Sequence, residues 1–163
     1  MRVFVVEIVE GFKNSFMTRQ SEWTLAFVML VGGWVLLLPF DLYSRSPYYI
    51  EFSRWISEQN LGLLFITVGG LRAVVLGLNG SFRPLYHLRA WLSALAMQVW
   101  LIMTMAFVSH EQVGMWVAIY PVFVMTEFVN ALRAAADAGR NDRRIACAKE
   151  AKKAAALRMA GNG

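Results

Sequence analysis

Long apolar runs recur along this chain, and each is closed off by charge. Trp23 to Phe40 gives eighteen positions without a formal charge, bounded by Glu22 and Asp41. Leu61 to Leu78 is broken only by Arg72, and Ala90 to Ser109 lies between Arg89 and His110. Val113 to Leu132 is broken only by Glu127. A helix crossing a hydrocarbon core of roughly 30 Å needs about 20 mainly apolar residues. The pattern predicts four membrane-spanning helices, at about 23–40, 61–78, 90–109 and 113–132. Pro39 is placed to end the first of them, and Tyr120-Pro121 to kink the fourth, because Pro121 removes a backbone donor.

Two shorter stretches read as interfacial. Val5, Ile8, Val9, Phe12 and Phe16 recur at helical spacing, with Glu7, Glu10 and Lys13 mostly off that face. This predicts an amphipathic helix within residues 1–22 that feeds the first span. Glu7 and Glu10 also interrupt the apolar run too early for a signal peptide. Ser46-Pro47 resembles a helix start leading into Tyr49, Phe52, Trp55 and Ile56, an aromatic stripe suited to the headgroup layer. Ordinary packing against the bundle accounts for both stretches equally well.

Composition narrows the class. Hydrophobic residues make up 58% of the 163 positions and charged residues 17%. That is more apolar side chain than so small a globule hides, which excludes soluble, disordered and disulfide-stapled chains. The expected fold is an all-α membrane protein: an amphipathic amino-terminal helix, four spans over 23–132, a short interfacial helix between the first two, and a basic helical tail over 133–163. Cys147 is the single cysteine.

Charge sets the orientation. The formal net charge is +5, and the segment from Arg133 onward accounts for all of it. Thirteen Lys/Arg fall in the amino-terminal flank, the loop after span two and the tail, against two in the opposite loops. The positive-inside rule then puts both termini in the cytoplasm. The tail is rich in Ala, Lys and Arg, with Gly139-Arg-Asn as the expected break. It reads as a solvated, topology-fixing helix or as a contact for anionic lipid. Nucleic acid is not an expected partner, because aromatic stacking residues are missing there.

Ionisable groups inside spans are the pointers to function, since burying them unpaired is costly. Arg72 lies about 10 Å from the cytoplasmic end of span two and Glu127 about 8 Å from that of span four. Their matching depth predicts a buried pair, with Gln98 and Asn130 completing its hydrogen bonds; the competing reading has each side chain reaching water independently. Few other polar residues follow the span faces, so a clamp is favoured over a proton or ion relay. Gly32, Gly33, Gly62, Gly69, Gly70 and Gly77 read as helix contacts, within the bundle or between copies. His87 and His110 fall in loops on opposite sides, which leaves no metal site of the His/Cys kind, and no nucleophile–base motif is present. Neither catalysis nor a cofactor is expected.

Ser21-Glu22-Trp23, Ser46-Pro47-x-Tyr49, Gly70-Leu71-Arg72, Asn79-Gly80 leading to Arg83-Pro84 and Leu88-Arg89, and Tyr120 through Glu127 to Asn130, Ala134 and Asp137 form one series over residues 21–137. In these motifs the chain resembles a group of small four-span membrane proteins encoded by tailed bacteriophages. The resemblance implies a phage setting in the host inner membrane and transfers no catalytic residue. The leading expectation is a non-enzymatic membrane protein that self-associates into homo-oligomers, in a holin-like, membrane-permeabilising role. The alternatives are a small channel or transporter using Arg72 and Glu127, and an accessory that docks onto a host membrane complex.

Overall fold

The computed structural model describes residues 16–45, 49, 53–81, 85–108 and 114–161. The regular structure among them is all helix, with no strand, and four of the helices are long and apolar enough to cross a membrane. The amphipathic segment up to residue 15, Ser46-Pro47, Phe52, Arg83-Pro84 and His110 lie outside the described residues.

Helix α1 (Gln20–Leu37) stops three residues short of the expected end. Leu38 is extended (φ −73°, ψ 150°), the conformation that a following proline imposes on its neighbour. Asp41 then turns the chain at φ 47°, a left-handed conformation that Asp tolerates better than most residues. A single turn, α2 (Leu42–Arg45), follows. Its first amides, Leu42 and Tyr43, donate to the two carboxylate oxygens of Glu58 at 3.1 and 3.2 Å. That cap from a distant residue explains why α3 (Glu58–Ser81) begins three residues before the apolar run: Glu58 is occupied as an anchor. Ser57 caps α3 itself, accepting the Asn60 amide at 3.3 Å.

The turn into α4 (Tyr86–Val108) is held by Asn79, whose Oδ1 accepts the Leu85 amide at 3.0 Å. His87, expected in a loop, belongs to the first turn of α4, 3.1 Å from Asp142. Helix α5 (Trp116–Gly161) runs 46 residues without interruption. It carries Pro121 in its second turn, where the ring removes the bond to the Val117 carbonyl. The break expected at Gly139 does not occur. One glycine costs a helix only about 1 kcal/mol, and the Ala- and Arg-rich flanks offset that. Span four and the basic tail are therefore one continuous element across residue 132.

Packing is uneven. Helix α1 lies closely along α3, and α4 along α5, while contacts between these two pairs are far fewer. Glycine explains the first pairing. A Cβ on Gly33 would sit 2.7 Å from the Gly62 carbonyl oxygen, and one on Gly69 would sit 2.9 Å from that of Ala26. Gly62 meets Leu37, Leu36 and Gly33 in return. Gly32 and Gly70 face the same interface more loosely, a Cβ on them lying 3.4 Å from Phe65 and 3.9 Å from Leu30, and only Gly77 of the six meets nothing within 4 Å.

Between the pairs, one end of the bundle is aromatic. Trp100 is edge-on to Phe65 (5.3 Å) and to Phe123 (4.9 Å) and stacks on Tyr120 (5.8 Å), which in turn meets Phe107 (5.1 Å) and Trp116 (5.7 Å). Tyr49 joins this cluster against Phe107, whereas Trp55 is 87% exposed. The proposed interfacial stripe thus divides between bundle and surroundings. Phe27, Trp34, Trp91, Ile102, Met105 and Met125 point outward, an apolar exterior suited to lipid tails.

Candidate functional site

The opposite end of the interface between the pairs is ionic. Arg72 on α3 and Glu127 on α5 are 3% and 0% exposed and form a two-pronged ion pair: Nη1 donates to Oε1, and Nη2 donates to Oε2 at 2.8 Å. Asn130, one turn along α5, offers its Nδ2 to Oε2 of Glu127 at 3.4 Å. Its Oδ1 accepts the Ser21 hydroxyl at 2.8 Å. Ser21, Asn130, Glu127 and Arg72 thus form one chain of polar contacts across α1, α5 and α3. Matching depth brought Arg72 to Glu127, as the sequence suggested, and Asn130 belongs with them.

Gln98 does not. It is exposed, on the outer face of α4. The inward face of α4 carries Arg89, Ser93, Ala96 and Trp100, and Gln98 follows Ala96 by two residues, about 200° around the helix. Depth alone does not report which way a side chain points.

A second cluster, one level further out, escaped the sequence reading. Arg89 is 3% exposed and pairs with the equally buried Glu22 on α1 (Nε to Oε2, 3.1 Å). It also donates from Nη2 to Asp137 on α5 at 2.7 Å. Asp137 in turn accepts from Arg140 on its own helix. By sequence Glu22 and Arg89 bound spans and belong to the motif series, with Arg89 in the loop after span two, and neither is singled out as a buried charge. Spacing held the missing signal: Glu127, Asn130, Ala134 and Asp137 fall three to four residues apart and form one stripe along α5. A narrow cleft lined by Glu22, Arg72, Arg89, Val75, Leu76 and Leu92 joins the two clusters.

Among the described residues the buried charged side chains balance, with Arg72 and Arg89 against Glu22 and Glu127. Each pair joins α1 or α3 to α4 or α5, so the ions lie between the two helix pairs rather than within either. Isolated charges in a hydrocarbon layer are very unfavourable, so these four residues fix which pair faces which. Among the described residues no three His, Cys, Asp or Glu side chains converge as metal ligands.

Comparison with protein-family models, curated proteins and solved structures returns no match to this chain. Function has to be argued from this geometry.

Proposed function

We propose that this chain is a non-enzymatic, self-associating integral membrane protein that permeabilises a membrane in the manner of a holin. One observation carries the reading: among the described residues, the buried charged side chains all lie at the seam between two tightly packed helix pairs, α1–α3 and α4–α5. Parting that seam exposes Arg72, Glu127, Glu22 and Arg89 together, a face that water solvates and lipid does not. At low density the cheapest partners for these residues are in the same chain. In a crowded patch, pairs from neighbouring copies can re-form the same ion pairs between molecules, as in domain swapping, and enclose water. Gly77, which meets nothing within 4 Å, remains for such contacts.

The resemblance to phage-encoded four-span proteins supports a setting at the host inner membrane, and the lysine and arginine bias supports cytoplasmic termini. The packed layer of Phe65, Trp100, Phe107 and Tyr120 weighs against a channel or transporter within one copy, because it offers no polar route past Trp100.

Controlled expression in a bacterial host tests the proposal. Abrupt loss of membrane potential followed by lysis is the expected result. Continued growth at confirmed membrane levels defeats it, and stoichiometric copurification with one host complex moves the reading to an accessory.

A further inference from the structure

At the end of the bundle where α1 and α4 begin, a cavity of about 490 Å³ is lined by Arg19, Arg89, Arg133 and Arg140 together with Glu22 and Asp137. Four cations against two carboxylates leave a surplus of positive charge, and both carboxylates are already engaged by Arg89 and Arg140. Even so, the donors are not used up. Arg89 is 3% exposed, yet its Nη1 has no hydrogen-bond acceptor among the described residues, and neither has the buried Nη1 of Arg19. Folded proteins rarely leave buried guanidinium hydrogens unmatched, because the desolvation penalty is then uncompensated.

Two further features have the same sign. Helix α1 starts directly after Arg19, which supplies no side-chain cap, so the positive end of its dipole lies beside the cavity. Burial, and then the charge of Arg89, hold the Arg19 guanidinium below its ordinary pKa range, which marks crowded cations short of counter-charge.

We propose that this cavity is a phosphate-binding site, in which a phosphoryl group accepts from Arg19 and Arg89 while Arg133 and Arg140 close around it. Guanidinium groups match phosphate oxygens in geometry as well as charge, and four from three separate segments suit a polyvalent oxyanion better than a carboxylate. The volume exceeds that of a bare phosphate and leaves room for a substituent. Two sources present this chemistry: phosphate free in water and the headgroup of an anionic phospholipid. The site takes Arg133 and Arg140 from the start of the tail and is distinct from the basic surface further along it, and it does not depend on the permeabilising role.

The test uses the full chain, purified in neutral detergent and in nanodiscs. One arm titrates inorganic phosphate against chloride at constant ionic strength. The other compares nanodiscs of phosphatidylglycerol in phosphatidylcholine with phosphatidylcholine alone. Thermal unfolding and native mass spectrometry report binding. The variants are Arg19→Gln with Arg133→Gln, and separately Arg140→Gln at the exposed rim, which reports even if the double variant is unstable. A control, Lys149→Gln with Lys152→Gln and Lys153→Gln, removes more charge from the tail. The wild type and the tail control are expected to respond equally, with the cavity variants weakened about ten-fold, the loss of one charge-assisted hydrogen bond. A response to inorganic phosphate assigns the free anion, and a response to phosphatidylglycerol alone assigns the headgroup. The proposal is overturned if neither probe stabilises the wild type beyond its matched control. It is equally overturned if the tail control loses the response while the cavity variants keep it.

Discussion

Replacing Glu127 by Leu removes the acceptor for both prongs of Arg72 and leaves a guanidinium that is 3% exposed without its partner. Two hydrogen bonds to a charged group amount to about 3–6 kcal/mol, and breaking a buried pair from one side typically costs about 3–5 kcal/mol. Two effects pull toward the lower end. Glu22 lines the same cleft and gives Arg72 an alternative counter-charge, and chains unfolded in a lipid-like medium find other partners. We expect a loss of about 3 kcal/mol, roughly a hundred-fold in the folding constant. Arg72→Met should cost a similar amount by stranding Glu127. The double variant, Arg72→Met with Glu127→Leu, should recover most of the loss, because an apolar pair of similar volume no longer carries a desolvated charge. The assay is reversible unfolding of detergent-solubilised protein by sodium dodecyl sulfate, followed by circular dichroism and tryptophan emission. Additive losses in the double variant, or a single-variant loss under about 1 kcal/mol, would show that the two side chains are not energetically coupled.

The glycines separate cleanly in the same assay. Gly33→Ala and Gly69→Ala push a methyl group to 2.7 and 2.9 Å from opposing carbonyl oxygens, which should cost about 1–3 kcal/mol as α1 is forced off α3. Gly77→Ala meets nothing within 4 Å and should be neutral or stabilising by up to about 1 kcal/mol through helix propensity. Cys147 is exposed and is the chain's single cysteine, so a membrane-impermeant maleimide should label it in inverted vesicles and not in intact spheroplasts. Labelling in spheroplasts would reverse the assigned topology.

The four spans were legible because apolar length is a property of composition along the chain, and nothing in the folded state overrides it. Their ends were less so. Leu38 yielded to Pro39, Glu58 was drawn into α3 by the amides of α2, and Gly139 was too weak a breaker among alanines. Arg72 with Glu127 could be read because two unlike charges at one depth in lipid have little choice but to meet. Gln98 could not be placed, because depth carries no information about azimuth. Glu22 and Arg89 looked like ordinary flanking charges, and only their meeting between the two helix pairs reveals that both are enclosed. Asp137 lay in the same series of motifs as Asn130 and Ala134, but its role needed the approach of α4 to become visible.

Because α5 continues unbroken from Trp116 to Gly161, it is a rigid mast about 69 Å long at 1.5 Å per residue, more than twice the thickness of a bilayer core. Asp137 sits near its middle, and Glu127 and Asn130 about 17 and 21 Å from its start, with roughly 40 Å of shaft extending beyond Leu132. Tilting or twisting the far end must therefore move the anchoring carboxylates as well, since no joint intervenes to absorb the motion. A load applied well away from the lipid is felt at the ion pairs that keep the two halves of the bundle together.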